Sequence, residues 1–274
     1  MRKFKEILLK SIVYLSAFAT VSVLVAIVGY IFSKGLRGVN LSFLVSDYST
    51  SGDGGILPMI ITTLYMVFVS ILVATPIGIL SGIYLQEYSK NGKLTKIIRF
   101  ATESLAGIPS IVYGLFGGIF FVVTLKLGYS IVSGALTVAI IILPVIIRTT
   151  EEALKTVPDS YREGSLALGG TRFQTLYKVI LPSAIPGILS GVILSVGRII
   201  GESAAVLLTA GTVAKLPETI FDSSRTLTVH AYLLTKESGD IQTVASMGVV
   251  LIIMVLALNT LAKVIAKKFN KANY

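Results

Sequence analysis

The 274-residue chain has no cysteine and no tryptophan, a single histidine, and only 14% charged side chains. Each shortage closes off a class of function. Without cysteine there is no disulfide scaffold, no thiolate metal site and no cysteine nucleophile. His230 alone supplies neither a metal cluster nor a proton relay, and it falls in a segment expected outside the membrane, where packing is the ordinary role. Ser203 is a poor nucleophile, because Gly201-Glu202-Ser203-Ala204-Ala205 lacks the closing glycine of a nucleophile elbow. No GxxxxGK(S/T) phosphate cradle is present either: Gly92-Lys93 is followed by Leu94 and lacks the upstream glycine. The expectation is therefore a chain that is not an enzyme, with no catalytic residue, no cofactor and no metal.

The scarcity of charge points to what is there instead. A soluble domain carries about 25% charged residues, whereas this chain is 54% hydrophobic with a mean hydropathy of +0.84. About 20 apolar residues span a bilayer as a helix. Six runs reach that length: Ser11 to Ser33, Gly54 to Gln86, Ser104 to Leu125, Leu127 to Ile147, a region from Val179 to Ala210, and Ile241 to Ala262. They predict an all-α membrane protein of one domain, with transmembrane helices near 11–33, 55–86, 104–125, 127–147, 184–210 and 241–262. An even count places both termini on one side. Ala17-Phe18-Ala19 has the look of a signal cleavage site, but the apolar run continues to Phe32, which favours a span.

Lysine and arginine orient the spans, since positive segments stay in the cytoplasm. With the amino terminus inside, the inside segments collect most of the 24 cations, among them Lys3, Lys10, Lys93, Arg99, Arg148, Arg162, Arg172, Lys263 and Lys271. Lys34, Arg37, Lys126, Lys215, Arg225 and Lys236 fall outside. The net charge of +10 is thus explained by flanks lying against anionic membrane lipid, with no nucleic-acid partner required.

The inside segment 148–182 is longer than a connection between neighbouring helices needs to be. Pro158-Asp159 reads as a helix start and Gly169-Gly170 as its stop. Thr171 and Gln174 form a capping box for a second helix, with Phe173, Leu176, Tyr177 and Ile180 expected on one face and Pro182 as its end. Gly164, Ser165 and Ala167 keep the first helix shallow. Spacing alone leaves two readings open, an amphipathic connector on the membrane surface and an elbow that docks on another protein.

Residues of this elbow resemble the EAA loop of permease subunits of ABC importers. Arg162-Glu163-Gly164-Ser165-Leu166-Ala167-Leu168-Gly169, then nine residues, then Val179-Ile180-Leu181-Pro182, match its pattern, with Gly164 and Ser165 where alanine is typical and Val179 where isoleucine is typical. The resemblance implies the type I ABC importer permease fold, with Glu163, Gly164, Ser165, Gly169, Leu181 and Pro182 in a coupling element seated on a cytoplasmic ATPase. Gly107-Ile108-Pro109-Ser110-Ile111-Val112-Tyr113-Gly114-Leu115, Arg198 with Gly201-Glu202-Ser203-Ala204, Leu207 to Ala210, and Thr226 to Tyr232 are similar to the PstA-type permeases of phosphate importers. Implied partners are ATPase subunits, a second, PstC-like permease and an extracytoplasmic phosphate-binding protein. Implied location is the inner membrane of a prokaryote.

Arg198 and Glu202 are the only full charges in their run. One turn apart on a straight helix they would share a face, with Gly197 and Gly201 letting a neighbouring helix come close. Each charge costs ~2.5 to 3.5 kcal/mol at a bilayer centre, so it needs a partner or a task. One reading is an ion pair that locks packing. The other is a substrate route, in which the guanidinium fork matches two oxygens of an oxyanion and Glu202 either neutralises Arg198 in the empty state or accepts the proton that hydrogen phosphate carries and sulfate lacks. Another oxyanion, another small solute, or passive conduction as an anion channel are the alternatives.

Overall fold

The computed structural model describes residues 2–49, 54–89 and 92–271. Twelve helices follow one another among them: α1 (Arg2–Gly35), α2 (Leu41–Val45), α3 (Leu57–Ile83), α4 (Lys93–Ala106), α5 (Ser110–Gly117), α6 (Ile131–Lys155), α7 (Asp159–Ala167), α8 (Arg172–Thr175), α9 (Leu181–Gly201), α10 (Ala204–Leu207), α11 (Leu227–Glu237) and α12 (Ile241–Lys271). Three π-helical turns extend this set: Tyr84–Tyr88 after α3, Gly118–Thr124 after α5, and Leu176–Ile180 joining α8 to α9. Five helices are long and apolar enough to cross a membrane, and α4 with α5 makes a sixth, bent unit.

The core is a bundle of α3, α6, α9 and α12, with α6 at its centre. Met66, Ala74, Ile131, Val138, Ile142, Ile146, Val196 and Ile199 fill it. Lipid is as apolar as these side chains, so close backbone approach and hydrogen bonds must hold the bundle. Two glycine pairs at four-residue spacing provide the approach. A Cβ on Gly78 would lie 2.6 Å from Ile146 and one on Gly82 2.7 Å from Thr150, while Gly187 would meet Ala153 at 2.6 Å and Gly191 would strike Thr149. Both flanking helices thus close on α6 through a small-residue seam. Thr62 and Ser224 share a 2.6 Å hydrogen bond, and Ser70 donates to the Ala135 carbonyl at 3.0 Å. The long helix α1 stands apart and packs on α12, where Ser246 donates to the Gly35 carbonyl at 2.9 Å.

Several expectations need correction. The run 104–125 is not one straight helix: Ser104 belongs to α4, and the chain turns by 103° before α5. Gly107-Ile108-Pro109 causes the corner, because a proline bars its predecessor from the helical region and Pro109 itself is extended, at φ −59° and ψ 139°. Helix α4 is amphipathic, exposing Leu94, Ile97 and Phe100 beside Lys93 and Lys96, which suits the membrane interface. The next span runs 131–155 instead of 127–147, since Leu127 to Ser130 form the turn and Ser130 caps α6 by accepting from the Ser133 N–H. Pro182 does not end a helix either. A continuous helical rod runs from Arg172 to Gly201, and its π turn changes the hydrogen-bond step immediately before the residue that has no N–H to give.

Candidate functional site

Span five stops short of Ala210. Helix α9 ends at Gly201, Glu202 is extended at φ −76° and ψ 125°, and α10 begins at Ala204. The carboxylate of Glu202 accepts from the Ala205 N–H at 3.2 Å, so it caps the short helix. Arg198 lies in the last turn of α9 and its side chain is exposed. The expected Arg198–Glu202 pair is not formed: helix geometry fails between them, and among the described residues the guanidinium has no hydrogen-bond or ion-pair partner. The carbonyl end of α9 favours a cation by ~0.3 to 1 kcal/mol. That is well short of the ~2.5 to 3.5 kcal/mol cost of a central charge.

Around this break the GIPSIVYG stretch acts as scaffold. Tyr113, buried on α5 within electrostatic reach of Arg198, donates from its hydroxyl to the Leu105 carbonyl at 2.7 Å. A Cβ on Gly114 would come within 2.8 Å of the Ala205 Cα, and one on Gly117 would strike Thr137. These glycines let α5 lie against α10 and α6, which fixes the interrupted backbone. Thr228 of α11 donates to the Ile200 carbonyl, and Glu202 N–H to the Ile199 carbonyl at 3.1 Å, so the severed end of α9 is partly satisfied. Gly197 and Gly201 are not a packing seam: a Cβ at either would meet nothing within 4 Å. They flank Arg198 and keep its surroundings open.

At the other end, α7 starts at Asp159 behind Pro158 and the chain reverses at Gly169, φ +82°. Both bonds of the Thr171–Gln174 capping box are made, at 3.2 and 2.9 Å. Glu163, Gly164 and Leu168 are exposed, and nothing lies within 4 Å of a Cβ on Gly164. An open groove of about 470 Å³ runs between Ser160, Tyr161, Gly164, Ser165, Leu168 and Gln174, and Ser165 is tied to Thr175 at 2.9 Å. Leu181 and Pro182 sit apart from it, where Leu181 packs against the cluster that contains Ala153, Leu154, Leu176 and Ile180. The four side chains expected on one face divide: Leu176 and Ile180 are buried, whereas Phe173 and Tyr177 are exposed and stacked with centroids 6.2 Å apart.

A family model described as binding-protein-dependent transport system inner membrane component matches residues 74–272. The chain belongs to that family. It is 36% identical to the probable ABC transporter permease protein YqgI of Bacillus subtilis over 96% of this chain and 95% of the relative. It is 40% identical to the phosphate transport system permease protein PstA of Pasteurella multocida over 76% of this chain and 75% of the relative. Among solved structures, a bacterial ABC transporter involved in import of the acidic polysaccharide alginate aligns with a TM-score of 0.66 over 98% of this chain and 99% of that one, at 13% identity. The fold is that of a type I ABC importer permease, and the chain is a multi-pass inner-membrane protein.

In this inner membrane component, sequence reasoning overlooked the charges that brace the elbow. Arg162 donates to Glu87 at 2.7 Å, to Asp159 at 3.0 Å, and to the Val157 and Leu154 carbonyls at 3.0 and 3.1 Å. Arg99 of α4 reaches Glu151 of α6 at 3.0 Å. The residues of the Arg162–Glu87 pair are 75 positions apart, so no local spacing could signal it. His230 proves to be buried beside Tyr48, at 5.1 Å edge-on, while Arg225 lies 4.8 Å over the same ring. Burial, and then the charge of Arg225, push the imidazole down to about 3, so it is neutral near pH 7 and serves packing.

Proposed function

We propose that this chain is one of two permease subunits of an ATP-driven importer of inorganic phosphate. The observation that carries this reading is Arg198, a guanidinium with no acceptor among the described residues, at a break in an otherwise apolar span. The 40% identity to the phosphate transport system permease protein PstA of Pasteurella multocida supplies the substrate class. In this reading Arg198 offers its planar fork to two phosphate oxygens, and the extended backbone at Glu202 keeps a helix from closing over it. Glu202 faces the hydrogen that hydrogen phosphate carries and repels sulfate, which has none to donate.

Energy comes from outside the chain, from two cytoplasmic ATPase subunits on which Glu163, Gly164, Ser165 and Gly169 would sit. The rod Arg172–Gly201, 30 residues or ~45 Å long, supports the coupling: it starts in the elbow and ends one turn past Arg198. A tilt of the elbow therefore reaches the guanidinium along one continuous helix, with the π turn Leu176–Ile180 near its elbow end. A PstC-like second permease completes the pathway, and an extracytoplasmic phosphate-binding protein delivers the substrate. Both termini face the cytoplasm.

The test is ATP-dependent uptake of radiolabelled phosphate by the four-component complex in proteoliposomes. ATP-dependent uptake that excess sulfate does not depress is the expected result. Depression by sulfate to background would indicate a broader oxyanion permease, and uptake by this chain alone without ATP would indicate a passive channel; either result overturns the proposal.

A further inference from the structure

Arg162 and Glu87 form the tightest ion pair linking distant parts of the described chain, at 2.7 Å, and both are mostly shielded, with side chains 20% and 17% exposed. Both amino groups of Arg162 are fully engaged. One amino group serves Glu87 and the Leu154 carbonyl, the other serves Asp159 and the Val157 carbonyl. Three elements thus meet on a single side chain: the elbow helix α7 that carries Arg162, the end of α6 with the connection after it, through the Leu154 and Val157 carbonyls, and the π turn that ends α3. A lone exposed pair is worth little, and bracing an elbow does not require a partner on α3. The placement of Glu87 in a π turn is the informative feature, because an i→i+5 turn is a point where a helix changes register at small cost. A second π turn, Leu176–Ile180, stands across from it at the foot of α9, and a hollow of about 300 Å³ lined by Glu87, Tyr88, Arg162, Thr175, Leu176 and Ile180 separates the two.

From this arrangement we infer that Arg162 is a positioning residue for energy coupling, a pin that carries displacement of α7 through Glu87 into α3. The inference rests on the reading of the elbow as an ATPase docking element. Covalent connection already ties both α6 and α9 to the elbow; α3 has no such connection and leads into α4 instead. With the pin in place α3 and α9, which clasp α6 from two sides through their glycine seams, move together. Without it, α6 and α9, the helices continuous with the elbow, follow it and α3 lags behind.

The test uses the absence of native cysteine. Leu80→Cys on α3 and Ile253→Cys on α12, both exposed, carry spin labels in the assembled complex, and the change in their separation is read when ATP is trapped at the ATPase. The inference expects Glu87→Gln and Arg162→Lys to reduce that change at least fivefold while the ATPase subunits still co-purify and hydrolyse ATP. In a second pair of variants, a bifunctional thiol cross-linker joining Glu87→Cys to Arg162→Cys restores transport per ATP hydrolysed, a result that a purely stabilising contact would not produce. An unchanged label displacement in Glu87→Gln, with the wild type responding normally, overturns the pin alone. Loss of ATPase co-purification in Arg162→Lys would make Arg162 a docking or folding residue and also overturn it. A wild-type chain that binds no ATPase subunit would overturn the docking reading, and the pin with it.

Discussion

Arg162 and Arg198 are the same side chain in opposite surroundings. Arg162, outside the spans, has both amino groups engaged, each with two acceptors. Arg198, at the break in span five, is exposed and has no acceptor among the described residues. Saturation marks a guanidinium that holds a structure together. Lack of it, where the apolar surroundings make a charge costly, is the ground on which Arg198 is proposed to receive substrate.

The contrast sets up substitutions that affect the two sites differently. The largest effect belongs to Arg198→Gln, which should lower phosphate uptake by at least ~100-fold, as expected when a charged partner is removed from a dry site, with no loss of thermal stability or of complex assembly. A fall in melting temperature matching that of a packing variant would remove the distinction. Arg162→Ala should behave in the reverse manner, lowering stability by ~1 to 3 kcal/mol because Glu87 and two helix-end carbonyls lose their donor. Chemical unfolding of the detergent-solubilised chain measures it.

The glycines sharpen the same comparison. Gly82→Ala places a methyl 2.7 Å from the Thr150 Cβ and 2.9 Å from the Ile147 carbonyl, and overpacking of that kind costs ~1 to 3 kcal/mol. Gly197→Ala meets nothing within 4 Å and should leave the melting temperature of the isolated subunit unchanged. Glu202→Gln keeps an acceptor for the Ala205 N–H, so stability should shift little while discrimination against sulfate weakens in competition uptake. Unchanged selectivity would leave Glu202 as a helix cap and nothing more. Smallest is the effect of His230→Gln. The imidazole is held neutral in the fold and takes up a proton more readily once unfolded, so its contribution is complete above about pH 6.5 and declines as the pH falls toward 3. Replacing it should flatten the acid limb of the stability profile in that window.

How far the sequence reached depended on the range of each signal. Thr171, Gln174 and Gly169 act within a few residues, and the elbow they predict is formed as expected. Periodicity and hydropathy reveal apolar runs but not the breaks inside them, which is why the corner at Gly107-Ile108-Pro109 reads as part of a straight span. Glu202 misled for a related reason: a carboxylate one turn after an arginine looks like a pair until the backbone between them is extended. The Gly78–Gly82 and Gly187–Gly191 seams on α6 were hidden because four-residue glycine spacing also occurs at Gly197 and Gly201, where no helix approaches. The Arg162–Glu87 contact depends on tertiary folding alone.

The central claim is that positive charge at position 198 receives the transported anion, and chemical restoration of that charge tests it most directly. Arg198→Cys, the sole cysteine in this chain, would be placed in a complex whose partners lack cysteine and treated with a cationic or an anionic methanethiosulfonate before uptake is measured. The account predicts uptake near background for the untreated variant, partial recovery with the cationic reagent and none with the anionic one. Full uptake by the untreated variant, or equal response to both reagents, would contradict it.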